Sequence, residues 1–403
     1  MTSVAAIEAA EAELRAAFPD PWLRAFSLKA NDVPAIVGRL GGLGLGANVV
    51  SAGEWAVAVR AGIPNWRITL EGVGKSNADL RAAVRAAADG RPLRWVAVES
   101  EEELRALRII AERAELGRNG RPPLDVLLRL NPDVAPETRA GLAVGRGASK
   151  FGMAETELTT ALAALPGGTA SAVRPRGVQL HVGSQLGAVD AWRDAVRRGL
   201  ALVGLVGAGR PEFDTLDVGG GFPVGDPGTV PAPARFAREA NRLLEALPVE
   251  RRPRRLAVEP GRFLVASSGW IVASVLHVRD RAGGHVAVID AGMTELIRPA
   301  LYGAEHRVIA LTSGGATPQP NAPTARTRVD GPVCESTDTL GNHELPALRR
   351  GDLVAIGDAG AYAASMAMTY NGRSLAPQVL LEPDGTLTLA RRRGRSRAGI
   401  ATG

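Results

Sequence analysis

Between residues 24 and 262, short apolar runs alternate with longer amphipathic segments, and this alternation restricts the fold more than any other feature of the chain. The apolar runs cover 24–28, 47–51, 67–70, 95–99, 125–130, 176–182, 215–218 and 255–258. Helical patterning fills 77–88, 101–116, 191–206 and 233–247 between them. Strands separated by helices pair in parallel, because each crossover brings the chain back to the same edge. Eight such units within about 240 residues predict a closed (β/α)8 barrel of the TIM type. A doubly wound open sheet is the alternative compatible with the same alternation. From 268 onward the apolar stretches at 270–278, 285–289, 327–329, 352–356, 378–381 and 386–390 lack long helices between them. That region reads as an all-β domain of antiparallel strands, with a surface loop at 311–325. The expected division is therefore a barrel over 1–267 and a β-barrel or sandwich domain over 268–403.

Composition excludes several classes. At 403 residues, 45% apolar and 22% charged, the chain has enough material for a large core. It has no uncharged apolar run of membrane-spanning length and no signal-peptide pattern at its start, so neither a membrane partner nor export is expected. One cysteine, Cys334, rules out an internal disulfide framework and a multi-cysteine zinc site, so no metal is expected. A cytoplasmic address follows as the expectation. The net charge of +6 is spread along the chain rather than gathered in a patch, which argues against a nucleic-acid partner. The dense run at 391–397 reads as a solvated tail.

The basic residues carry a sharper signal. Only Lys29, Lys75 and Lys150 are lysines among 48 basic positions. Arginine cannot lose its proton at working pH and cannot form a Schiff base, whereas lysine can do both. Active sites of TIM-type barrels lie at the C-terminal strand ends. There the sequence puts Lys29 after the first run, Ser51 and Glu54 after the second, and Arg129 and Asn131 at the fifth. His181 lies at the sixth, Gly219, Gly220 and Gly221 after the seventh, and Glu259 at the eighth. Taken singly, each has an ordinary structural role: a rim lysine, a core histidine, a glycine turn, a carboxylate paired with Arg262. Together an amine nucleophile, an imidazole, a glycine cradle for a phosphate and a carboxylate match what pyridoxal 5'-phosphate needs.

The motifs then form an ordered series. FSLKAN (26–31), SKFG (149–152), HVGSQ (181–185), LDVGGGF (216–222) and EPGR (259–262) are followed by DAGMTELIRPALYG (290–303), GPVCES (331–336) and DAGAY (358–362). In these motifs the chain resembles the barrel-type pyridoxal-phosphate decarboxylases, and among them the diaminopimelate decarboxylases, from about residue 26 to 373. The resemblance implies that Lys29 binds the cofactor as an imine and that His181 stacks on its ring. It implies that Ser184, Gly221, the backbone at Gly261 and Arg262, and Tyr362 hold the phosphate, while Glu259 pairs with the pyridine nitrogen. Arg262, Arg298 and Tyr302 would bind the carboxylate at the far end of the substrate. Cys334 and Glu335 would come from the second subunit of a homodimer, Cys334 as proton donor and Glu335 as receiver of the distal amine. The implied reaction is decarboxylation of meso-diaminopimelate to L-lysine. GPVCES and LIRPALYG point away from an alanine racemase, which shares the barrel and the lysine.

Some positions depart from the family pattern. Asn48 stands where aspartate is usual, LEGVGKS (70–76) replaces a more polar stretch, the tail after Arg393 lacks the usual ending, and the N-terminal β-strand expected before the first barrel helix is not evident. The β-domain is accordingly expected to lack that strand. These departures keep two alternatives open: a specialised relative acting on another or a carrier-bound amino acid, and a non-catalytic cofactor-binding regulatory protein. The presence of both Lys29 and Cys334 argues against the second.

Overall fold

Eight parallel strands close on themselves, and closure excludes the open-sheet alternative. The computed structural model describes residues 1–145, 149–165, 171–226, 228–282 and 284–394. The chain begins with β1 (Thr2–Ser3) and α1 (Val4–Ala17) and continues through β2 (Leu23–Ser27), α2 (Pro34–Gly42), β3 (Gly46–Val49), α3 (Ala52–Arg60), β4 (Ile68–Leu70) and α4 (Asn77–Ala88). Next come β5 (Trp95–Val98), α5 (Glu101–Arg113), β6 (Leu124–Leu130), α6 (Glu155–Ala163), β7 (Val173–Leu180), α7 (Asp190–Gly207), β8 (Thr215–Asp217), α8 (Pro233–Glu245) and β9 (Arg255–Val258). Strands β2 to β9 form the barrel, and β9 pairs back onto β2 with Leu23 opposite Ala257.

Local chemistry starts the helices where the strands end. Ser51, Ser76 and Ser100 cap α3, α4 and α5, each accepting from the backbone N–H three residues on. Such caps contribute about 1 kcal/mol each. The caps are braced from the other side. Glu54 accepts from Val50 N at 2.9 Å, Asp79 from Ser76 N at 2.8 Å, and Glu103 from Glu99 N at 2.8 Å. The apolar stripes of the helices, such as Leu80, Ala83, Val84 and Ala87 of α4, are buried.

Gly177 tests the tightness of the barrel. It has φ +153°, lies where β7 shifts register against β6, and a Cβ there would sit 1.8 Å from Thr215 O. Both backbones are held in the β7–β8 ladder, where Gly177 pairs with Thr215. Gly177→Ala is therefore expected to destabilise the protein by about 4 kcal/mol or more, read as a lowered denaturant midpoint.

The chain divides into two compact units, Ala10–Phe263 and a second made of Met1–Ala9 with Leu264–Gly403. The second contains α9 (Arg262–Val265) from Leu264 onward, then β10 (Ile271–Arg281), β11 (Gly284–Ile289), α10 (Arg298–Tyr302), β12 (Val308–Leu311), β13 (Thr324–Asp330), β14 (Thr339–Pro346), β15 (Leu353–Ile356), β16 (Gln378–Leu381) and β17 (Leu387–Arg391). A six-stranded sheet runs β12-β15-β10-β11-β13-β14 around Val275, Ile289, Val329, Val354 and Ile356. A three-stranded sheet runs β1-β16-β17.

Three expectations need correction here. The N-terminal strand is present: Thr2 and Ser3 pair with Leu380 and Leu381, and Ser3 N donates to Ser268 O at 2.8 Å. Two residues are too few to show a period of two. The unit is not wholly antiparallel, since β11–β13 and β1–β16 pair in parallel. Finally, β12 and β14 were not among the expected strands. In β14 the polar Asn342, His343 and Glu344 stand between the buried Leu340 and Leu345, which breaks up the apolar run. The solvated tail expected at 391–397 lies outside the described residues from 395 on.

Candidate active site

Lys29 sits in a single 3-10 turn, Leu28–Ala30, directly after β2. It is half-buried, and its positive charge acts on Glu54, His181 and Glu259. The other two lysines are committed elsewhere. The buried side chain of Lys75 is ion-paired with Glu103 at 2.9 Å, and the exposed Lys150 lies 5.4 Å from the Phe151 ring centre. Lys29 is thus the lysine that the barrel mouth surrounds with ionisable groups.

His181 follows β7. Gly220 N donates to its Nδ1 at 3.3 Å, so that nitrogen is unprotonated and a neutral ring carries its hydrogen on Nε2. Burial first, then the charges of Lys29 and Arg129, hold the imidazole well below its ordinary pKa. Arg129 is itself fixed by Glu99 at 2.7 Å and by the Phe151 ring at 5.0 Å. Glu99 also accepts from Gly152 N at 3.1 Å, which ties the SKFG segment to the mouth.

The glycine run follows β8. Gly219 and Gly221 have φ of +67° and +103°, and a Cβ on Gly220 would lie 2.2 Å from Glu259 O. The turn therefore presents bare backbone toward the mouth. Gly261 is equally confined, between the Cβ atoms of Ser27 and Ala30. The Arg262 guanidinium donates to Ser184 Oγ at 3.1 and 3.3 Å, joining two predicted site residues directly.

Glu259, at the end of β9, is buried, and burial together with the adjacent Asp217 pushes its carboxyl up to about 8. Gln179 donates to it at 3.2 and 3.4 Å and also to Glu71 at 3.2 Å. Glu71, Asp217, Gln179 and Glu99 were not singled out by the sequence. Their signal was available: Glu71 lies two residues beyond Thr69 on the inward-facing alternation of β4, and Asp217 ends β8 inside LDVGGGF.

The remaining predicted residues belong to the second unit. Arg298 opens α10 and meets His306 Nε2 at 3.1 Å, while His306 Nδ1 meets Gly357 O at 2.9 Å. That pairing fixes the histidine with its hydrogen on Nδ1 and Nε2 accepting from the arginine. Tyr302 ends the same helix and is half-buried. Cys334 and Glu335 are exposed on the segment between β13 and β14. Asp338, 3% exposed, shapes that segment by accepting from Met293 N at 2.6 Å and Val333 N at 2.8 Å. Glu335 accepts from Tyr370 OH at 2.7 Å, which pushes the phenol up. Tyr362 is half-buried with φ +56°.

A ring nitrogen, an aldehyde and a phosphate all find suitable chemistry in the barrel unit. Glu259 is a buried carboxyl for the nitrogen, Lys29 is an amine for the aldehyde, and the Gly219–Gly221 turn is a cradle that a Cβ would fill. A barrel with these groups at its mouth defines a pyridoxal-phosphate enzyme. The chain belongs to the pyridoxal-dependent decarboxylases, whose pyridoxal binding domain matches residues 4–266. It is similar to the diaminopimelate decarboxylases of Zymomonas mobilis, 33% identical over 92% of this chain and 83% of that one, and of Aquifex aeolicus, 34% identical over 94% and 85%. The crystal structure of the Helicobacter pylori diaminopimelate decarboxylase complexed with L-lysine superposes with a TM-score of 0.87, at 30% identity over 98% of this chain and 93% of that one.

Proposed function

We propose that this chain decarboxylates meso-diaminopimelate to L-lysine, as a homodimer and in the cytoplasm, where a catalytic thiol at Cys334 stays reduced. The observation that carries the reading is the convergence of Lys29, neutral His181 and buried Glu259 at one barrel mouth. The extended similarity to diaminopimelate decarboxylases supports the choice of substrate.

Bound pyridoxal phosphate supplies a conjugated sink for the electrons left behind as carbon dioxide departs. Lys29 would hold the cofactor through its amine. His181, kept neutral, offers the flat face of its ring without placing a second positive charge in the site. Glu259 is the buried carboxyl that would pair with the ring nitrogen and stabilise a proton there. The backbone at Gly219, Gly220, Gly221 and Gly261, with Ser184 and Tyr362, holds the phosphate. Arg262, Arg298 and Tyr302 would bind the distal carboxylate, and Glu335 of the second subunit would receive the distal amine. Cys334 of the second subunit gives a proton to the carbon that lost its carboxylate.

The test is a panel of amino acids assayed by carbon dioxide release. A site built around a charged group commonly rejects an analogue lacking its partner by about 10⁴-fold. The kcat/KM for meso-diaminopimelate should therefore exceed that for lysine or ornithine, which lack the distal carboxylate, by about that factor. Equal turnover of lysine, ornithine or a carrier-bound amino acid would replace this substrate. Unchanged preference in Arg298→Ala would remove the carboxylate clamp.

A further inference from the structure

Three carboxyl groups meet inside the barrel, and the reaction described above uses one. Glu71, Asp217 and Glu259 place oxygens within 4.8 Å of one another, all buried. The donors around them are few. Gln179, 0% exposed, turns its amide nitrogen to Glu71 and Glu259, and Gly219 N donates to Asp217 Oδ1 at 2.9 Å. Glu71 Oε1 and Asp217 Oδ2 are buried without a partner, as is Gln179 Oε1. Three ionised carboxylates would leave these acceptors unsatisfied and would set like charges against one another. A hydrogen carried by a carboxyl group relieves both problems, because it removes a charge and donates to a neighbour.

The charged groups that face the cluster do not neutralise it. Lys29 brings one positive charge toward Glu259, and Arg129 acts on Glu71 while bonded to Glu99. His181 is neutral, Thr69 is buried and uncharged, and the buried, uncharged Asn48 acts on Glu71 as a hydrogen-bond donor. Burial and mutual repulsion raise the carboxyls together, Asp217 and Glu259 to about 8 and Glu71 well above the usual range.

We propose that Glu71, Asp217 and Glu259 act as one proton-holding unit that keeps two protons at neutral pH and shares its single negative charge between Glu259 and Asp217, with Glu71 as the positioning residue that donates a hydrogen toward Glu259. This rests on the reading of Glu259 as the partner of the ring nitrogen. Lys29 acts on Glu259, Gln179 donates to both of its oxygens and Gly219 N donates to Asp217, so the charge is supported on this pair rather than on Glu71. Protonated Glu71 then donates to Glu259, and the second hydrogen lies between Glu259 and Asp217.

Infrared spectroscopy of the holoenzyme in heavy water reads the protonation state directly. The wild type should show a buried carboxylic-acid carbonyl band at neutral pH, and Glu71→Gln and Asp217→Asn should each remove about half of it. The wild-type band should lose about half its strength as pH rises through about 8, because the proton shared by Asp217 and Glu259 leaves on that limb. Glu71→Leu, which removes the donor, should keep the visible cofactor band at neutral pH but move its change through about pH 8 upward. Absence of an acid band in the wild type, or a band untouched by Glu71→Gln, overturns the proton count. A cofactor band with wild-type pH dependence in Glu71→Leu overturns the positioning role. Should Glu71→Gln fail to fold, the wild-type band and Asp217→Asn still decide the count. A wild type that carries acid protons but takes up no pyridoxal phosphate would instead refute the assignment of Glu259.

Discussion

Lys29→Ala is expected to give a folded protein without the visible absorbance of a covalently held cofactor, and with activity lower by on the order of 10⁴-fold or more. Borohydride reduction of the wild type followed by peptide mapping should place the pyridoxyl label on Lys29. The fold should survive, because the turn at Leu28–Ala30 is held by its buried Leu28 and Ala30 rather than by the lysine head. The loss of a positive charge should also be visible in the neighbours: without Lys29, the Glu259 carboxyl moves further up and His181 becomes easier to protonate. A label on Lys75 would contradict the buried ion pair with Glu103, and a label on Lys150 would contradict its place on the exposed rim against Phe151.

Cys334→Ala should be almost as damaging by itself, yet rescued by mixture. If the thiol serves the active site of the other subunit, Lys29→Ala and Cys334→Ala chains exchanged into hybrid dimers contain one intact site in two. Activity should then return to about a quarter of the wild-type level for random mixing of equal amounts, against nearly none for either parent. A mixture with proven subunit exchange that stays inactive shows that each chain supplies its own thiol. Within one chain, the segment bearing Cys334 and Glu335 is exposed while its anchor Asp338 is buried, an arrangement suited to presenting both side chains outward in a fixed conformation.

The barrel was legible because its period is repeated: each of β2 to β9 falls on an expected apolar run, and the serine caps mark where three of its helices begin. Lys29, His181 and Glu259 were legible because unusual residue types stood at strand ends. The second unit was less so. Polar residues in β14 mask a half-buried strand, β1 is too short to have a pattern, and nothing in the local sequence encodes that β13 returns beside β11 in parallel. Glu71 escaped notice for a different reason. A glutamate beside a glycine-rich turn resembles any solvated loop acid, and its burial is decided by Asp217, Gln179 and Glu259 arriving from strands far along the chain.

The braced caps described above also divide the rim of the barrel into unlike arcs. Along one arc the first turns of α3, α4, α5 and α6 each carry an acid, and Glu54, Asp79, Glu103 and Glu157 spend a carboxylate on a backbone N–H. Helix N-termini ordinarily attract anions, but these four are already occupied by charge of the wrong sign. On the opposite arc, α8, α9 and α2 have no acid in their first turns, and there the glycine run, Arg262 and Lys29 are found. A negatively charged group is therefore expected to be disfavoured along the first arc and better received at the second, through the pattern of helix beginnings.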